Sequence, residues 1–93
     1  MLEIARALAL DPKLLLLDEP VAGMNPTETG FVMELVRKIK EQGITVLMIE
    51  HDMDIALELS DMVTVLHYGR VIADGPREQV KADPQVREIY LGA

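Results

Sequence analysis

Ninety-three residues leave room for one small domain, and an apolar share of 49% sets the chain apart from disordered sequences. Nine Lys+Arg against 16 Asp+Glu give a net charge of −7, which excludes a nucleic-acid binder held by a basic face and argues against docking on anionic lipid. With no Cys there are no disulfides, thiolate metal sites or cysteine nucleophiles, and with 3% aromatics the core falls to Leu, Ile, Val, Met and Ala.

The chain opens on MLEIARALAL, where Leu2, Ile4, Ala5, Leu8 and Ala9 form a helical stripe that Asp11-Pro12 ends. Glu3 and Arg6 interrupt it and no basic n-region precedes it, so it is not a signal peptide. No apolar run approaches the roughly 18 residues of a membrane span. No capping residue stands before this helix, which leaves two readings: Met1 is disordered, or chain once preceded it. Leu14 to Leu17 is a short apolar run closed by Asp18-Glu19-Pro20, which predicts a strand buried on both faces, as in a parallel sheet. A loop over residues 21–24 leads to Asn25-Pro26-Thr27-Glu28, a helix start with an N-cap, a first-turn proline and capping-box spacing. Phe31, Val32, Leu35, Val36 and Ile39 make its apolar stripe, and Gly43 ends it.

Ile44 to Ile49 predicts a second buried strand, ending in Glu50-His51-Asp52. A short helix with Ile55, Ala56 and Leu59 inward leads to a third strand over 62–66. Tyr68-Gly69 turns the chain back into an antiparallel strand over 70–73. Gly75-Pro76 and Asp83-Pro84 each have the form of an N-cap followed by proline, and predict two short closing helices. Met24, Met33, Met48, Met53 and Met62 read as gap-fillers in an aromatic-poor core, and His67, Arg70, Lys81 and Arg87 as surface residues. Alternating strands and amphipathic helices predict an α/β architecture with a parallel sheet. In such sheets ligands sit at the carboxyl ends of the strands, where Asp18-Glu19 and Glu50-His51 fall.

One carboxylate at a strand end suits Mg²⁺, which keeps several waters, and a second can polarise an attacking water. His51 on the same edge can donate to a phosphate oxygen where charge develops. Without Cys, His51 and His67 match no zinc spacing. Read alone, Asp18 and Glu19 serve equally well as solvated strand-end carboxylates.

The combined pattern is more specific. LEIARALALDPKLLLLDEPVAGMNPTE resembles the ATP-binding-cassette (ABC) ATPases from the helix after their signature loop through Walker B to the D-loop. GITVLMIEHDMDIALELSDMVTVLHYGRVIADG resembles their switch-histidine strand, the helix after it and the closing hairpin. GPREQVKADPQVREIYLGA is similar to the ends of ATPase subunits of branched-chain amino-acid importers, and AGMNPTE with EHDM favours one of their two ATPase types. The resemblance covers essentially the whole chain. It implies one partial cassette domain over 1–93: an α/β, partial P-loop-NTPase-type parallel sheet flanked by helices, with a C-terminal hairpin and short helices. It also implies roles. Asp18 would hold Mg²⁺ through water, Glu19 would position the hydrolytic water, and His51 would contact the ATP γ-phosphate. Pro20 to Asn25, including Val21, Ala22, Gly23 and Met24, would form the D-loop. Asn25 stands where the family usually has Asp, which removes a charge but keeps the N-cap.

No glycine is followed by Lys, so the Gly-x-x-x-x-Gly-Lys-Ser/Thr phosphate loop is absent, as are the Leu-Ser-Gly-Gly-Gln signature and the glutamine loop. The expectation is therefore the C-terminal third of a transport ATPase, lacking the phosphate-loop strand and unable by itself to bind ATP tightly or hydrolyse it. ATP, Mg²⁺, a second ATPase subunit, transmembrane permease subunits and the cytoplasmic face of the inner membrane are what the resemblance implies for the full-length family. In that family the phosphate-loop strand lies between those at 44–49 and 62–66. Without it two strand edges face a gap, which predicts a strand-exchanged or edge-paired homodimer. Two rival readings are a non-catalytic oligomeric relic module and a receiver-type domain phosphorylated on Asp18. The second lacks the acidic pair a receiver needs on an earlier strand.

Overall fold

The computed structural model describes residues 4, 6 and 8–91, and divides the chain into two compact units, residues 1–50 and 51–93.

In the first unit Ile4, Arg6 and Leu8 are helical, and the Asp11 amide donates to the Leu8 carbonyl at 3.0 Å as the chain turns. Positions 2, 3, 5 and 7 of the expected first helix lie outside the described residues. Strand β1 (Leu14–Asp18) pairs in parallel with β2 (Thr45–Ile49), in a register that sets Leu16 beside Leu47 and Asp18 beside Ile49. Between them runs helix α1 (Pro26–Glu41), which packs on β2 and buries Val32, Val36 and Ile39 at helical spacing. The Glu28 amide donates to Asn25 Oδ1 at 2.8 Å and the Asn25 amide to Glu28 Oε1 at 3.3 Å, closing the capping box. After Gln42, Gly43 takes a left-handed φ of 86°, the conformation that commonly ends a helix.

Two expectations change in this unit. Phe31 is 69% exposed, because it falls off the buried side of α1 set by Val32, Val36 and Ile39, and Leu35 is half-buried. The β1 strand is buried on one face only. Leu15 and Leu17 lie inside, whereas Leu14 and Leu16 of β1 and Leu47 and Ile49 of β2 are exposed. A continuous apolar run is what a strand covered on both sides requires, and within this unit one side is covered.

In the second unit Asp52 caps α2 (Met53–Leu59), its Oδ1 accepting from the Ile55 amide at 3.3 Å. Ile55, Leu57 and Leu59 are buried and Ala56 is half-buried, so Leu57 takes an inward place that the periodicity did not assign to it. Strands β3 (Met62–His67) and β4 (Arg70–Pro76) form an antiparallel hairpin with an irregularity between Val65 and Leu66. Strand β4 runs three residues past Ala73, so Gly75 is a strand residue and not a helix cap. Pro76, opposite Met62 at the ladder's end, precedes α3 (Arg77–Ala82) without a side-chain cap. Asp83 does cap the next turn, α4 (Pro84–Val86), accepting from the Gln85 and Val86 amides at 2.9 and 3.1 Å. A π-helical turn, Arg87–Leu91, follows. Leu57, Val63, Val65, Val80 and Val86 form the core of this unit, with Met53, Ile72 and Ala73 against it. Met62 is 65% exposed and fills no gap.

Candidate functional site

The carboxyl end of the parallel pair is built by its register. Because Asp18 stands beside Ile49, the residues that follow each strand, Glu19 and Glu50, emerge on the same edge of the sheet. The Glu19 amide donates to the Ile49 carbonyl at 2.7 Å, one hydrogen bond beyond the last ladder pair. Glu19 takes a left-handed φ of 47°, uncommon for a residue with a side chain. Its own carbonyl accepts from the Ala22 amide at 3.1 Å, so the strand breaks at once into a turn. Asp18 is exposed and Glu19 half-buried, so two adjacent carboxylates differ in their access to water.

Residues 20–25 make the tight loop between β1 and α1. Val21 is buried, Met24 donates from its amide to the Val21 carbonyl at 3.1 Å, and Gly23 takes a φ of 73° that needs no side chain. Ala22 and Gly23 are exposed, and Asn25 is occupied as the α1 cap. His51 is exposed and is the first residue of the second unit, whereas Asp18 and Glu19 belong to the first.

Among the described residues no group of three or more His, Cys, Asp or Glu side chains could hold a metal ion. A single exposed carboxylate at a strand end suits a cation that keeps most of its waters and takes its other oxygens from phosphates. Asp18 therefore fits an outer ligand of a nucleotide-borne Mg²⁺, not a cage made by protein alone. The backbone cradle for those phosphates is a glycine-rich loop that this sequence does not contain.

The hairpin corrects one expectation, that His67 is a surface residue. His67 is half-buried. Its ring meets Tyr68 edge-on at 4.4 Å and Tyr90 at 5.9 Å. The Tyr90 hydroxyl donates to the Leu66 carbonyl at 2.8 Å. No spacing rule connects residues 67 and 90; only the folded hairpin brings them together.

Over 98% of its length the chain superposes, with a TM-score of 0.80 and 41% identity, on 37% of MJ1267, an ATP-binding cassette of an ABC transporter solved in its ADP conformation. The chain is α/β, with a small parallel sheet, an antiparallel hairpin and short helices, and it resembles the C-terminal portion of such cassettes. More particularly, residues 70–93 match the family model for the branched-chain amino acid ATP-binding cassette transporter. The chain is 46% identical over 92 residues to the high-affinity branched-chain amino acid transport ATP-binding protein BraF of Pseudomonas aeruginosa. It is 43% identical over 93 residues to the probable branched-chain amino acid transport ATP-binding protein LivG of Archaeoglobus fulgidus. In both cases it spans 36% of the relative's length.

Proposed function

We propose that this chain is one partial cassette domain over 1–93, which supplies the water-activating side of the nucleotide site in an ABC ATPase that drives branched-chain amino-acid import. The observation that carries this reading is the β1–β2 register, which delivers Asp18 and Glu19 to the carboxyl edge of a parallel pair. In the complete site Asp18 holds Mg²⁺ through water, Glu19 positions the attacking water, and His51 donates to the γ-phosphate. Residues 21–25 are the D-loop. ATP and Mg²⁺ are the ligands of that complete site, and a second ATPase subunit and membrane permease subunits at the cytoplasmic face of the inner membrane are its partners.

By itself the 93-residue chain neither binds ATP tightly nor turns it over, because no phosphate cradle positions the nucleotide. The decisive experiment joins the N-terminal part of BraF to this chain at the aligned boundary and measures ATPase activity. Turnover by the chimera, lost by a factor of about 100 or more in Glu19→Gln, supports the assignment. A folded chimera that Glu19→Gln leaves fully active overturns it, and so does micromolar ATP affinity of the 93-residue chain alone.

A strand-exchanged or edge-paired homodimer is the second part of the reading. Strands β2 and β3 belong to different sheets, and among the described residues β2 pairs with β1 alone. Unpaired strand edges recruit other chains. A non-catalytic oligomeric module would share this property, and the chimera separates the two.

A further inference from the structure

The C-terminal turn is tied to the hairpin by one side chain. Residues 87–91 pack chiefly on α4, which leads into them. Among the described residues, their polar contact with the hairpin is the Tyr90 hydroxyl, which donates to the Leu66 carbonyl at 2.8 Å and lies 3.4 Å from His67 Nδ1. Tyr90 attaches where the β3–β4 ladder slips. Val65 pairs with Ala73 and Leu66 with Val71, so Ile72 has no partner on β3. A bulge of this kind disrupts the ladder locally and re-aims the groups beside it. The His67 ring stands edge-on to Tyr90, with the two planes at 86°.

Proton counting sets the direction of these contacts. A phenol hydroxyl has one proton to give. The Leu66 carbonyl, at the ordinary distance for an O–H donor, takes it, whereas 3.4 Å to His67 Nδ1 is long. What Tyr90 then turns towards His67 is a lone pair. A bare Nδ1 would set a second lone pair against it in a half-buried place, and a protonated Nδ1 donates to it. A neutral imidazole has one proton for two nitrogens, and in water it sits mostly on Nε2. The contact with Tyr90 selects the other form, and each donor in the resulting chain polarises the next.

We infer that the C-terminal turn is a strap closed on the hairpin by a directed hydrogen-bond chain, from His67 Nδ1–H to the Tyr90 hydroxyl to the Leu66 carbonyl, which holds neutral His67 in its less favoured tautomer. Every group in the chain lies in the second unit, and the inference is independent of the nucleotide-site reading.

The test records long-range ¹H–¹⁵N correlations of the histidine rings in the ¹⁵N-labelled 93-residue chain. The pH is set about two units above the ordinary imidazole value of about 6.5, where the ring is neutral. The expected spectrum shows His67 with its proton on Nδ1 and a bare Nε2. Tyr90→Phe keeps the aromatic ring but removes the hydroxyl. In that variant His67 returns to a majority Nε2–H form, and amide exchange in residues 87–91 accelerates about threefold or more. A tyrosine that only filled space would leave the tautomer unmoved. A parent chain with His67 protonated on Nε2 overturns the inference. So does a Tyr90→Phe variant that keeps the Nδ1–H form, or one whose turn exchanges no faster than the parent's.

Discussion

The Glu19 amide reaches the Ile49 carbonyl at 2.7 Å, extending the β1–β2 ladder by one bond just where β1 turns left-handed at Glu19. This bond holds the backbone of the proposed water-positioning residue to the neighbouring strand. The side chain is then displayed at the sheet edge by a conformation that costs energy.

That cost predicts that the usual glycine penalty is offset at Glu19. Glu19→Gly relieves the left-handed strain while loosening the unfolded chain, and the two effects roughly cancel, leaving stability within about 1 kcal/mol of the parent. Glu34→Gly, in the interior of α1, has no strain to relieve and destabilises by about 1 kcal/mol. Urea denaturation of the two variants checks the contrast. A larger loss at Glu19 than at Glu34 would count against strain at the strand end.

The Asn25 cap predicts that Asn25→Ala destabilises by about 1 kcal/mol, because the amide at Glu28 loses its acceptor at the first turn. Asn25→Asp keeps the acceptor and adds a favourable charge at the helix N-terminus. Its stability should stay within about 0.5 kcal/mol of the parent or rise. Denaturant midpoints of both variants test this, and an aspartate as damaging as the alanine would refute the cap.

Core packing of the second unit makes Val80→Ala costly. Val80 is 1% exposed among Leu57, Val63, Val65 and Val86, and removing two carbons from that cluster costs about 2 kcal/mol. Val71→Ala, at 61% exposure on the same hairpin, should cost less than about 0.5 kcal/mol. Thermal unfolding followed by circular dichroism reads both.

Much of this architecture is visible in the residues themselves. The apolar runs that become Leu14–Asp18 and Thr45–Ile49 and the capping box at Asn25 rest on local patterns that nothing elsewhere in the chain opposes. The failures are long-range. Leu14 and Leu16 have the side chains of a doubly covered strand, but covering both faces takes a second layer that the first unit does not provide. Strand β4 runs on through Gly75 to Pro76, where a turn-like dipeptide is tolerated because a ladder's end needs no further donor. The contact of His67 with Tyr90 joins residues with no common periodicity, so it is legible only after folding.

The edge of β2 supplies the sharpest test of self-association. Thr45 donates its amide to the Lys13 carbonyl at 3.0 Å and Ile49 accepts from Glu19, so residues 45, 47 and 49 direct their backbone groups towards β1. In a parallel ladder the intervening residues face the other way, so the Val46 and Met48 amides point to the edge away from β1. Met48→Pro removes one of those donors without breaking a β1–β2 bond, whereas Met48→Ala makes a comparable loss of side chain and keeps the donor. If β2 pairs edge to edge with a second copy, sedimentation velocity gives a dimer for the parent and for Met48→Ala, and a monomer for Met48→Pro. A parent chain that is monomeric at high concentration, or a proline variant that stays dimeric, would rule out pairing through this edge.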